Sequence, residues 1–244
     1  MNHDNVTLCE LALASTMYDC LTPFNYSFGL LNSATGNNID LTNLAHCTSL
    51  VEWLNDWGCR HLSKGHHKVA SRSILSWYQA NGATLFPNRK QLWDLEDQEL
   101  EVTATAYGSL KGRTGAWRIC GERKLEVHIG ATAASKILFA IRPKALMPWD
   151  EAIRINSGYD GSPTSYFRYL KKIRHLISQI EAICRNKGFE IDDLPKELGR
   201  PNSTVLALVN EYIWVTETKK CELPSAHTLA RWATWANTRN VETG

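Results

Sequence analysis

The chain has 244 residues, of which 43% are hydrophobic and 21% charged, and its formal net charge of +2 is too weak to indicate nucleic-acid binding by itself. No stretch reaches the unbroken apolar length of a membrane span, and the first residues lack a basic start followed by an apolar run, so we expect neither a membrane helix nor a secretory leader. The seven cysteines are scattered, odd in number and never spaced as Cys-x-x-Cys, which favours a cytoplasmic protein without a metal or other cofactor.

Apolar residues recur at helical spacing through most of the chain. The first predicted helix covers residues 6–21, and the polar, Gly/Asn/Ser-rich segment 24–40 is predicted to be a loop. Asn43 or Thr42 caps the next helix. The later predicted helices are 43–57, 69–80, 95–110, 117–125, 132–141, 164–186, 204–216 and 225–236. Because no strand alternation exceeds four residues, the sequence predicts an all-α protein.

The stretch 126–154 carries the functional prediction. It begins with a tight apolar turn around Gly130, continues as a helix over 132–141, and reaches Asp150 at the start of a second helix. An acidic residue at a helix start suits the free N–H groups and the positive end of the helix dipole. Asp150 is therefore explained equally well as a structural N-cap.

This stretch resembles the hairpin and aspartate segment of the helix-hairpin-helix DNA glycosylase superfamily, and within it the 8-oxoguanine and archaeal-type enzymes. In that superfamily an apolar-Pro-Gly-apolar-Gly turn leads into a helix, and a later loop ends in Pro, an apolar residue and the catalytic Asp, with an Arg shortly after. The corresponding residues are Ile129-Gly130-Ala131-Thr132, the helix 133–138, Pro148-Trp149-Asp150 and Arg154. His128 replaces the proline of the turn and Thr132 replaces its second glycine, so the hairpin is degenerate.

The resemblance implies a two-lobed helical glycosylase-like fold for residues 1–244 as one unit, with the hairpin and catalytic segment at about 117–157. It implies double-stranded DNA as the partner, and we expect a monomer. Contacts with the DNA backbone are expected from the turn and from basic residues. These candidates are Ile129, Gly130, Ala131, Thr132, Arg154, Lys64, His66, Lys68, Lys111 and Arg113. Each basic cluster is also explained as a solvated helix end.

The resemblance assigns catalysis to Asp150. Cleavage of an N-glycosidic bond develops positive charge on the sugar, which a carboxylate stabilises while it orients a water molecule. Bifunctional members carry a lysine that forms a Schiff base, at the position of Thr132. Lys136 lies one helical turn later and is the alternative nucleophile. We therefore expect a monofunctional enzyme that leaves an abasic site.

A glycosylase also needs a pocket whose side chains stack on the flipped base. The candidates are Trp149, Trp53, Trp57 and Trp232. Helical spacing explains most of the tryptophans equally well as core residues. The sequence does not specify the base, so both a damaged purine and a modified base of phage DNA remain open as substrates. The biological role, DNA repair or defence against phage, is open as well.

Two other functions stay open. Arg168 and His175 are separated by six residues on a predicted helix, which resembles the ribonuclease motif of the all-α HEPN superfamily, although Tyr169 stands where that motif has a polar residue. A degenerate hairpin is also compatible with a helical DNA-binding module without catalysis. Release of a modified base from a duplex, cleavage of RNA, or binding without chemistry distinguishes the three.

Overall fold

The computed structural model describes residues 6–62 and 64–239, and in that part of the chain helices predominate. The helices are α1 Leu8–Leu21, α2 Phe24–Ala34, α3 Leu44–Asp56, α4 His67–Asn81, α5 Asp97–Lys111, α6 Gly130–Ile141, α7 Glu151–Asn156, α8 Pro163–Asn186, α9 Leu194–Glu197, α10 Val205–Ile213 and α11 Ala226–Arg239. A π-helix, Trp214–Thr218, directly continues α10, and β1 Thr114–Cys120 pairs with β2 Arg123–His128. The predicted all-α class is confirmed, with one small antiparallel sheet added.

The predicted start of α3 is confirmed by its cap. The side chain of Asn43 accepts a hydrogen bond from the N–H of Ala45, so Asn43 and not Thr42 caps α3. Ser162 caps α8, whose first residue is Pro163, a favoured position for proline. These local signals are short-range, which explains why the sequence alone specifies them.

The prediction of a loop over 24–40 is wrong, because α2 occupies most of that segment. Phe24, Phe28 and Leu31 recur at spacings of four and three residues and therefore lie on one face of α2. Leu31 is buried, and the two phenylalanines pack against the hydrophobic core. Burial of this face outweighs the low helix propensity of the Asn, Ser and Gly residues between them.

The predicted helix over 117–125 is also wrong, because these residues form most of the β-hairpin. Cys120 pairs with Arg123, so the strands are joined by two residues, and Gly121 adopts a positive φ of 61°. Glycine at the first central position is typical of a two-residue hairpin turn. The turn at 129–132 therefore follows a strand, and the β-hairpin is inserted between α5 and α6, which pack against each other.

Helix α6 is central to the core and carries the start of the candidate site. All its residues from Ala133 to Ile141 are buried, and it contacts both α3 and α5. Each of its larger aliphatic side chains contributes about 1.5–3 kcal/mol through burial. Only the first turn, at 130–132, is partly open to solvent. None of the helices in 6–62 and 64–239 combines the length and the apolar character that crossing a membrane requires.

Candidate active site

Asp150 caps helix α7, and both oxygens of its carboxylate are held. Oδ1 accepts a hydrogen bond from the N–H of Ile153 at 2.8 Å, and Oδ2 accepts one from the hydroxyl of Thr218 at 2.7 Å. The predicted N-cap is confirmed. Because the side chain is only partly buried and lines two cavities, capping does not remove the carboxylate from the site.

The hydroxyl partner of Asp150 comes from a distant part of the chain. Thr218 is the last residue of the π-helix Trp214–Thr218. A π-helical turn is wider than an α-helical one, is rare, and is frequently found at functional sites. Here it places Trp214 and Thr218 beside the aspartate segment, since α7 packs against the π-helix.

Lys136 lies in the same cavities as Asp150. Its side chain is only 8% exposed, its amine donates a hydrogen bond to the carbonyl oxygen of Trp57, and Nζ lies 4.6 Å from the centre of the Trp57 ring. Burial lowers the pKa of the Lys136 amine, and the nearby Cys59 and Asp150 side chains partly oppose that shift. The amine is thus closer to neutrality than an exposed lysine.

The turn at 129–132 and the two predicted catalytic residues line one cleft of about 490 Å³, together with Arg154. Gly130 has a positive φ of 80°, and a Cβ built there would meet no atom within 4 Å. The backbone N–H of Ile129 donates to the carbonyl of Arg113 at 2.8 Å, and its carbonyl lies 2.9 Å from Nε2 of His61. No side chain in the described residues caps α6, and the residues of its first turn line the cleft.

The predicted DNA-binding basic residues occupy different environments. Arg154 is half-buried beside Gly161, and its Nε is buried without a hydrogen-bond partner in the described part of the chain. Lys111 donates to the carbonyl of Gly161 at 3.0 Å, which is a structural contact. The backbone of Arg113 holds the turn, as described above. Lys64, His66 and Lys68 surround the start of α4 and line none of the cavities described here.

An aromatic cavity of about 730 Å³, hereafter the chamber, shares Phe24 and Trp57 with the cleft. Trp53 and Trp57, predicted as pocket residues, both line it, with ring centres 4.6 Å apart. Sequence reasoning missed the other aromatic residues of the chamber, which are Tyr18, Phe24, Phe28 and Phe139. Two of them belong to α2, which was predicted to be a loop.

The other two predicted pocket tryptophans lie outside the chamber. Trp149 is buried in the core, where its ring lies 5.1 Å from those of Tyr166 and Tyr169, although it also lines a small recess beside Asp150. Trp232 lies on α11 with 55% of its surface exposed and lines none of the cavities described here. In this structure the chamber is thus formed without Trp232.

Polar groups from α10 also line the chamber. Glu211 is 1% exposed, accepts hydrogen bonds from Ser15 and from Asn25 and lies 3.4 Å from Arg200. Burial raises the pKa of the Glu211 carboxyl, and the hydrogen bonds oppose that effect. Its neighbour Asn210 is 7% exposed and lines both the chamber and the recess beside Asp150.

The ribonuclease motif is not near these cavities. Arg168 and His175 are both exposed on α8 and line none of the cavities described here. Nε2 of His175 lies 3.4 Å from the amide nitrogen of Gln179, one turn away on the same helix. No observation at this pair favours RNA cleavage over an ordinary solvated helix face.

Comparisons with protein-family models, with curated proteins and with solved structures found no match to this chain. The features that indicate a function are therefore the cleft and the chamber. Together they bring the buried amine of Lys136 and the hydrogen-bonded carboxylate of Asp150 close to a group of aromatic side chains.

Proposed function

We propose that this protein is a DNA glycosylase that hydrolyses the N-glycosidic bond of a flipped damaged or modified base and leaves an abasic site. One observation carries the proposal: Asp150 and Lys136 line a cleft that begins at the 129–132 turn and shares two aromatic residues with the chamber. A glycosylase needs these three parts in this order, because it binds the backbone, reacts at the sugar and encloses the base.

Backbone binding is proposed for the turn and for Arg154. The first N–H groups of a helix bind anions, and a glycine at the turn allows a phosphate to approach closely. Arg154 lines the same cleft. A guanidinium is well suited to a phosphate. The proposal also includes double-stranded DNA as the partner, a monomeric protein and a cytoplasmic location.

Catalysis is proposed for Asp150, whose negative charge stabilises the developing positive charge on the sugar. The hydrogen bonds from Ile153 and Thr218 orient the carboxylate, and this pre-organisation avoids rearrangement during the reaction. Lys136 is proposed to interact with the aspartate and not to attack the sugar, since its amine is held by the carbonyl of Trp57. Water is therefore the nucleophile, and no Schiff base forms.

The chamber supports a flipped base as the ligand, because base rings stack on aromatic side chains. A cavity of about 150 Å³ is enough for a benzene ring, whereas the chamber measures about 730 Å³. The chamber has space for a base enlarged by modification, of the kind found in phage DNA, and such a base is the substrate proposed here. A defence role follows from that choice of substrate.

Mass spectrometry of released bases tests the function. The probes are duplexes with one 8-oxoguanine or one alkylated purine, and phage DNA whose cytosines carry hydroxymethyl or glycosylated groups. The wild-type protein should release a free base from at least one probe, and Asp150→Asn should release it at least about 100-fold more slowly. Because asparagine keeps an acceptor for the N–H of Ile153, the melting temperature should change little. Equal release by the two proteins, or none by the wild type, would refute the proposal.

A further inference from the structure

A recess of about 20 Å³ lies beside Asp150 and is distinct in size from both the cleft and the chamber. Roughly 10–15 Å³ is enough for one water molecule when volume is measured in this way, and a buried water needs two to four polar partners. The recess is lined by the polar residues Asp150, Lys136 and Asn210, and by apolar and aromatic side chains on its other sides. Its size and lining therefore fit one water molecule.

Asn210 is the least explained of these polar residues. It lies on α10 with 7% of its surface exposed, yet its side chain makes no hydrogen bond to any of the residues that the structure describes. Its amide atoms are also not among the enclosed, unsatisfied polar atoms, so they face open space. That space is the chamber and the recess, because these are the cavities that Asn210 lines. The amide has both a donor and an acceptor, so it is available to bind a ligand in these cavities.

We infer that the recess holds the hydrolytic water between the carboxylate of Asp150 and the side-chain amide of Asn210. This inference rests on the proposed glycosylase function and names a positioning residue for it. The amide oxygen of Asn210 accepts one hydrogen bond from the water, and Asp150 accepts the other. The water is thereby fixed with a lone pair free for attack.

The step balances as a hydrolysis. The water oxygen forms a bond to C1′ of the sugar, and the C1′–N bond breaks with its electron pair passing to the base. Asp150 accepts the proton that the water loses and passes it to solvent, and the departing base takes up a proton from solvent. The products are the free base and a sugar with a hydroxyl group at C1′. Neither a lysine adduct nor strand cleavage is part of this step.

Asn210→Leu tests the inference because leucine has a similar volume and no polar atom. On the probe DNA that the wild type cleaves, the single-turnover rate of base release should fall about 100-fold, while duplex affinity stays within about twofold. Asn210→Ser, whose hydroxyl can still hold a water, should recover part of the rate. Asn81→Leu is the control, since the side chain of Asn81 bonds only the carbonyl of Trp77 among the described residues and lines none of the cavities described here. It should react at the wild-type rate.

A second measurement identifies the nucleophile from the reaction product. If Asn210 had only a structural role, its substitution would not change that product. In water–methanol mixtures the wild-type protein should form mainly the C1′ hydroxyl product, because the recess fits one water molecule. Asn210→Ala enlarges the recess and should yield the C1′ methoxy product as well, detected by mass spectrometry. A wild-type product ratio in Asn210→Ala, or a loss of affinity with an unchanged rate in Asn210→Leu, would overturn the inference.

A crystal structure separates this inference from the proposed function. It should show an ordered water within hydrogen-bonding distance of Asp150 and of the Asn210 side chain in the protein without DNA. If no probe DNA loses a base, the glycosylase proposal and the nucleophilic role of the water both fail. If the wild type is active but no such water is present and the Asn210 variants react normally, only the inference about Asn210 fails.

Discussion

Gly130→Ala tests whether the 129–132 turn binds a DNA phosphate. The added Cβ would meet no protein atom within 4 Å, so it would project into open space beside the cleft. The cost within the folded protein therefore comes from the backbone, because φ is +80° and side chains other than hydrogen disfavour that region. If a phosphate occupies the space in the complex, the methyl group obstructs it as well.

The two effects have different sizes and can be separated. A non-glycine residue in this region costs about 1–2 kcal/mol, which lowers the melting temperature of a chain of this length by about 2–8 °C. Loss of hydrogen bonds to one phosphate costs about 1.5–3 kcal/mol more in the complex, so duplex affinity should fall roughly 10- to 100-fold. The slope of log affinity against log salt should also flatten by about 0.9 for each phosphate lost.

Gly188→Ala is the matched control, because Gly188 has a positive φ of 89°, an open Cβ direction and an exposed position after α8. Both variants should lose similar stability, and only Gly130→Ala should lose affinity. Melting temperature and duplex binding over a salt series are measured on the same preparations, with an unmodified duplex. If Gly130→Ala remains folded with the affinity and salt slope of Gly188→Ala, the turn does not contact a phosphate, and the proposed orientation of DNA in the cleft is refuted.

Three further outcomes follow from the site. Borohydride should trap no protein–DNA adduct, and an adduct that disappears in Lys136→Ala would show that the amine is the nucleophile. Thr218→Val removes the hydrogen bond to Asp150 and should slow base release about tenfold, whereas Thr218→Ser should restore it; an unchanged rate in Thr218→Val would contradict the positioning role. Because burial raises the pKa of Glu211 above 4.5, the folded state holds that proton more tightly than the unfolded chain, and stability falls as pH rises from about 4.5 to the raised value. Denaturant unfolding over that range should show a weaker pH dependence in Glu211→Gln, and equal slopes would contradict the shift.

Local signals in the sequence were sufficient for much of the helical framework. Asn43, Ser162 and Asp150 each lie at a helix start that the sequence predicts or that a nearby proline marks, and each side chain caps its helix. Capping depends on residues within four positions of each other, so no knowledge of the fold is required. The same reasoning predicted a helix after Gly130, which the structure confirms as α6.

The two wrong predictions, the loop over 24–40 and the helix over 117–125, concern segments whose structure depends on contacts with distant residues. In α2 the spacing of Phe24, Phe28 and Leu31 was a visible helical signal, but the surrounding Asn and Ser residues suggested a loop. For the β-hairpin, the Gly-Glu pair at 121–122 was the available signal, since glycine suits the first position of such a turn. Most of the hairpin residues beyond Trp117 are exposed, so no alternation of buried and exposed residues marked the strands.

Asp150 and Lys136 could be singled out from the sequence because they lie within one stretch, whereas Thr218 and Asn210 could not. These two residues are eight positions apart on α10 and its π-helical extension, and at least 60 positions from Asp150. Their proximity to the aspartate depends on the packing of α7 against the π-helix, which no local pattern encodes. The unpaired amide of Asn210 becomes visible only when burial and hydrogen bonds are considered together.

Capping and catalysis by Asp150 are compatible because they use different properties of one carboxylate. The N-cap contact engages Oδ1 and fixes the side chain relative to α7, while Thr218 fixes Oδ2. A carboxylate oxygen accepts more than one hydrogen bond, so each oxygen keeps capacity for water or for a charged sugar. An aspartate that only capped a helix would need neither the second bond nor an adjoining recess with an unpaired amide. The structural contacts therefore hold the group at the position where its charge can act, and the cap is part of the proposed catalytic arrangement.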